Sequence, residues 1–401
     1  MMKRLLLLAL ALAPLPAAAQ RPTLESHLGQ ALAIDAPFRV LAAQRDAVAA
    51  RRALARSPIP GSPVVGGVGL NDFRVRDYRE FDLDVAAPVW LPGQRGAYSD
   101  TVRTGVEELE ARLLLRRLEV AGLLRDAWWG AASAARDVRV ASDRVGTSRD
   151  IERDVSRRAE LGDIPPTDAL LSRNETLAAE LSLAQAQAVL AGARAVYQTL
   201  TAGAEPDLPP EPAVPRSRPH PALLAADAGV RAAESQARLV AATPRDNPEL
   251  GVFGRAEQGR IIDERYSLGL RVRVPLATDA RNLPRVAAAQ ADLTRAVAER
   301  DLRRRLLEAE IGAAQVALRA AEDAARIARQ RLSVANRQLD LARRAFNAGE
   351  IAPFDLFRVR QLQVEAAGAQ AQADVTAGRS RSRLNQALGV VPGSGEFLSA
   401  R

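Results

Sequence analysis

From Leu307 to Phe346 the chain sets apolar residues in steps that alternate four and three. They are Leu307, Ile311, Ala314, Leu318, Ala321, Ala325, Ala328, Leu332, Ala335, Leu339, Ala342 and Phe346. An unbroken 4–3 alternation is a heptad seam, the mark of helices that wind around one another. The same phase runs earlier through Val120, Leu124, Ala127, Ala131, Ala134, Val138, Ala141 and Val145, each 187 residues before its counterpart. Because 187 is not a multiple of seven, a shared period cannot produce this match, and a repeated unit can. Long helices are therefore predicted over about 96–159 and 284–347. Alanine at many seam positions brings a partner close but buries little per contact, so these helices need length or several partners.

A period of two appears elsewhere. Phe81, Leu83 and Val85 alternate with Asp82 and Asp84, and Leu268, Leu270, Val272 and Val274 alternate with Gly269, Arg271 and Arg273. Strand pairs are predicted at 64–75 with 79–89, and at 250–259 with 265–276. The strand ends Ala87-Pro88 and Val274-Pro275 keep the 187 offset, as do Gly162-Asp163 and Gly349-Glu350. Each of the latter follows an Arg-Arg-Ala, beginning at Arg157 and at Arg343, which reads as one residue gained in the second copy. Shorter helices are expected at 31–56 and 221–242, before the strands, and at 166–201 and 353–388, after the turns. Seven prolines between 204 and 221 exclude regular structure there. The division is thus 1–19 leader, 20–203 first repeat, 204–220 linker, 221–390 second repeat and 391–401 tail.

Roughly 60 helical residues span about 90 Å, and the two shorter helices of each half match that length end to end. The fold expected is a rod of antiparallel helices with strands at one end and Gly-Asp turns at the other. The alternating strands suit either a half-buried sheet on a soluble core or a membrane barrel with water inside. The chain offers no other core for such a sheet. Four strands cannot close a barrel, eight would be filled by side chains, and twelve would leave a pore. On the barrel reading Asp82, Asp84, Arg271 and Arg273 face the lumen, and the hairpin ends near Asp77-Tyr78 and Asp263-Glu264 lie outside the cell.

Composition narrows the chemistry. The 401 residues carry 56 Lys+Arg against 48 Asp+Glu, no cysteine and two histidines, with aromatics at 4%. Disulfides, zinc fingers, thiol nucleophiles and Fe–S clusters are excluded, and no metal site or cofactor is indicated. Lys3 and Arg4, the apolar run Leu5–Leu12 and Ala17-Ala18-Ala19 form a secretory signal, with cleavage expected after Ala19. No cysteine follows it to carry a lipid anchor. Arginines are interleaved with carboxylates, a solvated pattern that argues against nucleic acid. His27 and His220 are expected at the surface, Trp128 and Trp129 in packing, and Trp90 at a membrane–water boundary.

With these features in order, the chain resembles the TolC family of outer-membrane efflux proteins over its whole mature length. The resemblance rests on the duplicated helix–strand–strand–long helix–helix unit and on the strand ends. It rests also on the tips Leu161-Gly162-Asp163 and Ala348-Gly349-Glu350 with Asp168 and Asp355, and on the ending Leu384–Gly389. It implies a mainly α protein with a membrane β-barrel contribution: a homotrimer with a twelve-stranded barrel in outer-membrane lipid, continuous with an α-helical periplasmic tunnel. It implies a passive duct, not an enzyme, docked on a periplasmic adaptor protein and an inner-membrane pump through Gly162, Asp163, Asp168, Gly349, Glu350 and Asp355. Residues Phe346–Gln361 look similar to the family's cobalt–zinc–cadmium branch. Arg157, Arg158, Arg343 and Arg344, in the last turns of the long helices, are expected to hold the closed end. The competing readings are a soluble periplasmic coiled-coil scaffold or adaptor, which leaves the strand pairs unexplained, and an exported enzyme, which lacks a nucleophile–base set.

Overall fold

A computed structural model describes residues 23–72, 78–212, 219–259, 264–348, 350–351 and 353–392. The leader, the ends of both hairpins at Asp77 and Asp263, Gly349 and residues 393–401 lie outside the described residues. The first half runs α1 (Leu24–Ile34), α2 (Ala36–Ala50), α3 (Arg52–Arg56), β1 (Val64–Asp72), β2 (Tyr78–Pro88), α4 (Gln94–Glu160) and α5 (Pro166–Thr201). The second runs α6 (Pro221–Ala241), β3 (Glu249–Gln258), β4 (Arg265–Arg273), α7 (Asp279–Asn347) and α8 (Pro353–Ala387). The single helix expected over 31–56 is instead three. Asp35 ends α1 and caps α2, accepting the Phe38 N–H at 2.8 Å. Arg116 clamps the same carboxylate with two hydrogen bonds of 2.8 and 3.0 Å, which hold Asp35 below the usual carboxylate range.

The long helices have 67 and 69 residues, about 100 Å each at 1.5 Å per residue. Every residue of the α7 seam is buried or half-buried, and between Leu302 and Arg344 every other residue of that helix is exposed. One heptad stripe therefore carries the whole α7–α8 joint. α4 lies beside α5 in its distal half and beside α2 and α6 in its strand-proximal half. α8 packs on both α4 and α7, so the distal half is a row of four helices in the order α5, α4, α8, α7. Gly378 makes the α8–α4 approach possible: a Cβ there would collide with the Trp129 ring. Trp129 is buried, packs edge-on against Trp128 with 4.4 Å between ring centroids, and donates to Ser382 Oγ at 2.9 Å.

At mid-length a cluster of buried residues joins α1 (Leu28, Leu32), α4 (Leu118, Leu124), α5 (Tyr197), the proline-rich segment (Leu208) and the C-terminal end (Val391). The segment read as a spacer thus supplies core. Its Glu211 accepts two hydrogen bonds of 2.8 Å from Arg125, which is only 4% exposed. Both histidines, expected at the surface, are buried. His27 Nδ1 lies 2.7 Å from the Tyr197 hydroxyl, and burial lowers its pKa. His220 caps α6, its Nδ1 accepting the Ala222 N–H at 3.1 Å. A short polar side chain flanked by apolar residues looks the same in sequence at a surface or under one; only a long-range partner separates the two cases.

Candidate functional site: a channel wall and its tips

The four strands form one antiparallel sheet in the order β1-β2-β3-β4, so the two copies meet at the β2–β3 pair. The strands are nine to eleven residues long, the length of a membrane-spanning strand. Registers Leu83↔Gly254 and Gly254↔Leu268 set Phe81, Leu83, Val85, Leu250, Val252, Leu268, Leu270 and Val272 on one face. Asp82, Asp84, Arg255, Arg271 and Arg273 share the other. The burial is inverted relative to a soluble sheet. Asp82 and Asp84 are buried, whereas Leu268 and Leu270 are 84% and 80% exposed.

The charged face is cross-linked along its rungs. Arg255 Nε donates to Asp82 at 2.9 Å and its Nη1 reaches Glu80 at 3.0 Å. Arg271 pairs with Asp84 at 2.6 Å and Arg273 with Glu249 at 2.9 Å. Gly66 makes room for this ladder, since a Cβ there would press on the Asp84 carboxylate at 2.7 Å. At the sheet base Gln94 and Asn247 exchange side-chain amide hydrogen bonds of 2.6 and 3.2 Å, tying the first copy to the second. Trp90 lies at this junction, donating to Ser57 O at 3.1 Å and packing on Tyr98.

The opposite end is built twice by one capping motif. Gly162 takes φ 81°, its N–H donates to Ala159 O, and the Asp163 N–H donates to Arg158 O at 2.9 Å. These are the paired bonds of a Schellman ending, and the second copy repeats the longer one, from Glu350 N–H to Ala345 O at 2.9 Å. Both tips keep the 187 offset, so no residue is gained in the second copy. The Arg-Arg-Ala motif is instead displaced by one position on the helix. Arg158 therefore falls in the last turn, where the second copy has Ala345.

This displacement separates the four arginines. Arg158 lies over the Phe346 ring at 4.4 Å, bridging the ends of α4 and α7. Arg157 and Arg343 are exposed, and Arg344 donates to Asp340 O of its own helix, at 3.3 Å. Asp163, Glu350 and Asp355 are exposed, with Asp168 and Asp355 in the first turns of α5 and α8. Arg360 escaped sequence reasoning, because nothing in its local pattern distinguishes it from the other arginines. It is half-buried between α8 and α4, donates to Thr147 Oγ1, and has an unpartnered Nε. Burial, and then the neighbouring Arg343 charge, push it below the ordinary guanidinium range.

No described helix is long and apolar enough to cross a membrane, and no described group of acidic and histidine residues is placed to hold a metal ion. Residues 218–390, the second repeat, match the family described as outer membrane efflux protein. No curated protein sequence matches the chain. The fold is that of solved outer-membrane channels. CusC superposes with a TM-score of 0.72 at 14% identity, covering 92% of each chain. The Campylobacter jejuni channel CmeC gives 0.70 at 15%, over 91% of this chain and 85% of that one. VceC from Vibrio cholerae gives 0.70 at 16%, over 91% and 96%.

Proposed function

We propose that this chain, a member of the outer membrane efflux protein family, is one of three identical staves of a passive exit duct. The inverted sheet carries the proposal. Its exposed apolar face needs lipid, its charged face needs water, and both of its outer strands lack a partner among the described residues. Pairing β4 of one copy with β1 of the next satisfies both edges, and three copies close twelve strands around an open lumen. Asp82, Asp84, Arg271 and Arg273 then line the pore. A soluble scaffold would leave the apolar face in water, at a cost that no described segment offsets. Protein extracted in mild detergent is expected to run at the mass of three chains and to conduct ions in planar bilayers. A monomer that conducts nothing would end this reading.

The helical row extends the wall into the periplasm, with the Gly162-Asp163 and Glu350 turns presented to a periplasmic adaptor that links the duct to an inner-membrane pump. Gly349, which precedes Glu350 in the sequence, belongs to the same proposal. The exposed carboxylates Asp163, Glu350 and Asp355 and the half-buried Asp168, at helix starts and turns, support that use. Among the arginines the closing contact is assigned to Arg158, which alone of the four spans the two hairpins. Arg158→Ala is expected to raise single-channel conductance or leak severalfold, while Arg343→Ala and Arg344→Ala change it less. Equal conductance for all three variants and the parent would remove Arg158 from the closing device.

A further inference from the structure

Arg360 lines a cavity to which the proposed duct assigns no role. Above the tips, α5 and α8 flank α4 and share no packing joint of their own among the described residues. Three contacts set them at one height. Arg149 pairs with Glu180 of α5 at 2.8 Å, Arg360 of α8 donates to Thr147 Oγ1, and Gly368 of α8 faces Val140. α4 is therefore the floor of a groove walled by α5 and α8. The groove widens into a cavity of about 630 Å³, inside the range of roughly 300–1,000 Å³ that small-molecule sites occupy.

Two chemistries converge there. Ile151 of α4, Leu171 of α5 and Leu362 and Val364 of α8 line it with hydrocarbon, and both leucines are exposed. Arg144, Arg358 and Arg360 line it against one carboxylate, Glu175, an excess of two positive charges (three minus one). Glu175 meets Arg144 at 3.8 Å, the far limit of an ion pair. A set of surface arginines is ordinarily a solvated face, but Arg360 is not fully solvated. Its Nε is shut off from water and has no partner among the described residues. Asp150, whose charge favours the Arg360 cation, is already paired with Arg153. Burial and the Arg343 charge act against that cation, and an anion beside it relieves both.

We propose that the cavity binds a small amphiphilic anion, its carboxylate or sulfonate on Arg360 and Arg358 and its hydrocarbon body on Ile151, Leu171 and Leu362. An ionised acceptor makes shorter and stronger hydrogen bonds to a guanidinium than a neutral one does. Covering the two leucines supplies the remainder. Neither half suffices alone. An inorganic anion leaves the leucines in water, and a neutral hydrocarbon leaves the Arg360 charge unanswered. One chain supplies every wall, so the site stands apart from the duct reading. Its ligand touches the α4–α5 and α7–α8 hairpins together.

Isothermal titration calorimetry of the protein purified in maltoside detergent tests the site, each titration being repeated into protein-free micelles. The probes are 1-naphthalenesulfonate, inorganic sulfate and 1-naphthalenemethanol. The sulfonate is expected to saturate at one per chain and to bind at least about tenfold tighter than either of the others, the worth of one charge-assisted bond. Arg360→Met, which keeps the apolar bulk of the side chain, should weaken it about tenfold or more, and Leu362→Gln severalfold. Arg358→Glu, at the exposed rim, should weaken it as much without touching the packing, whereas Arg326→Met on the exposed side of α7 should leave it unchanged. Equal affinity in the parent, Arg360→Met and Arg358→Glu overturns the site. Sulfate binding as tightly as the sulfonate means a plain anion site, and naphthalenemethanol binding as tightly means apolar partition. Either result overturns the amphiphile, as does a titration that never saturates.

Discussion

Replacing Arg125 with alanine is expected to destabilise the folded chain by about 3–5 kcal/mol, the usual consequence of removing one partner from a buried ion pair. Arg125 sits where four segments meet. Its guanidinium donates twice to Glu211 of the proline-rich segment, to Gln386 of α8 at 2.5 Å and to Val390 O of the C-terminal end at 3.0 Å. Gln386 in turn donates to Leu118 O of α4, and Ser382 donates to the same Glu211 at 3.1 Å. Alanine leaves the half-buried Glu211 carboxylate with the Ser382 hydroxyl as its remaining partner among the described residues. The pair Arg125→Met with Glu211→Leu removes both charges and is expected to lie much closer to the parent, since the desolvation cost disappears with the attraction. Denaturant unfolding in mild detergent, followed by the fluorescence of Trp128 and Trp129, reads both. A loss under about 1 kcal/mol for Arg125→Ala would mean that water, not protein, satisfies Glu211.

A second large effect is expected from one residue of β4. Leu270→Arg puts a cation on the lipid side of the sheet, at a cost of about 2–4 kcal/mol per chain near the bilayer midplane. Summed over the copies of a closed barrel, this should deplete the assembled oligomer from the outer-membrane fraction. The adjacent Arg271→Leu changes the side chain by a comparable amount on the charged face. It breaks the 2.6 Å pair with Asp84, but on the proposed duct reading that carboxylate faces a wet lumen, and assembly should survive. The contrast between neighbours is the test. If the two variants assemble equally well, the two faces of the sheet do not have the different solvents assigned to them.

Much of the architecture could be read before any coordinate, and for one reason. A heptad or a period of two is a property of the backbone's own geometry, so it is written locally and survives at any tertiary position. The α7 seam from Leu307 to Phe346, the alternation of Leu268–Val274 and the 187 offset are all of this kind.

What the sequence could not supply were the pairings between segments far apart in the chain. Nothing near His27 indicates Tyr197, 170 residues away, and nothing near Arg125 indicates Glu211 or Gln386. The Arg-Arg-Ala motifs even suggested a false alignment of the tips, because short basic motifs slide along a helix without penalty while the capping turn does not. By itself the sequence determined the repeat, the helix and strand periods, the two-faced strands and the turn that ends each long helix, all of them set by dihedral geometry and side-chain spacing. Only the tertiary structure decided that β2 pairs with β3, that Arg158 and not Arg343 reaches across the tip, and that the proline-rich segment is part of the core. Those outcomes depend on which distant surfaces exclude water together, a sum over the whole fold that no local pattern contains.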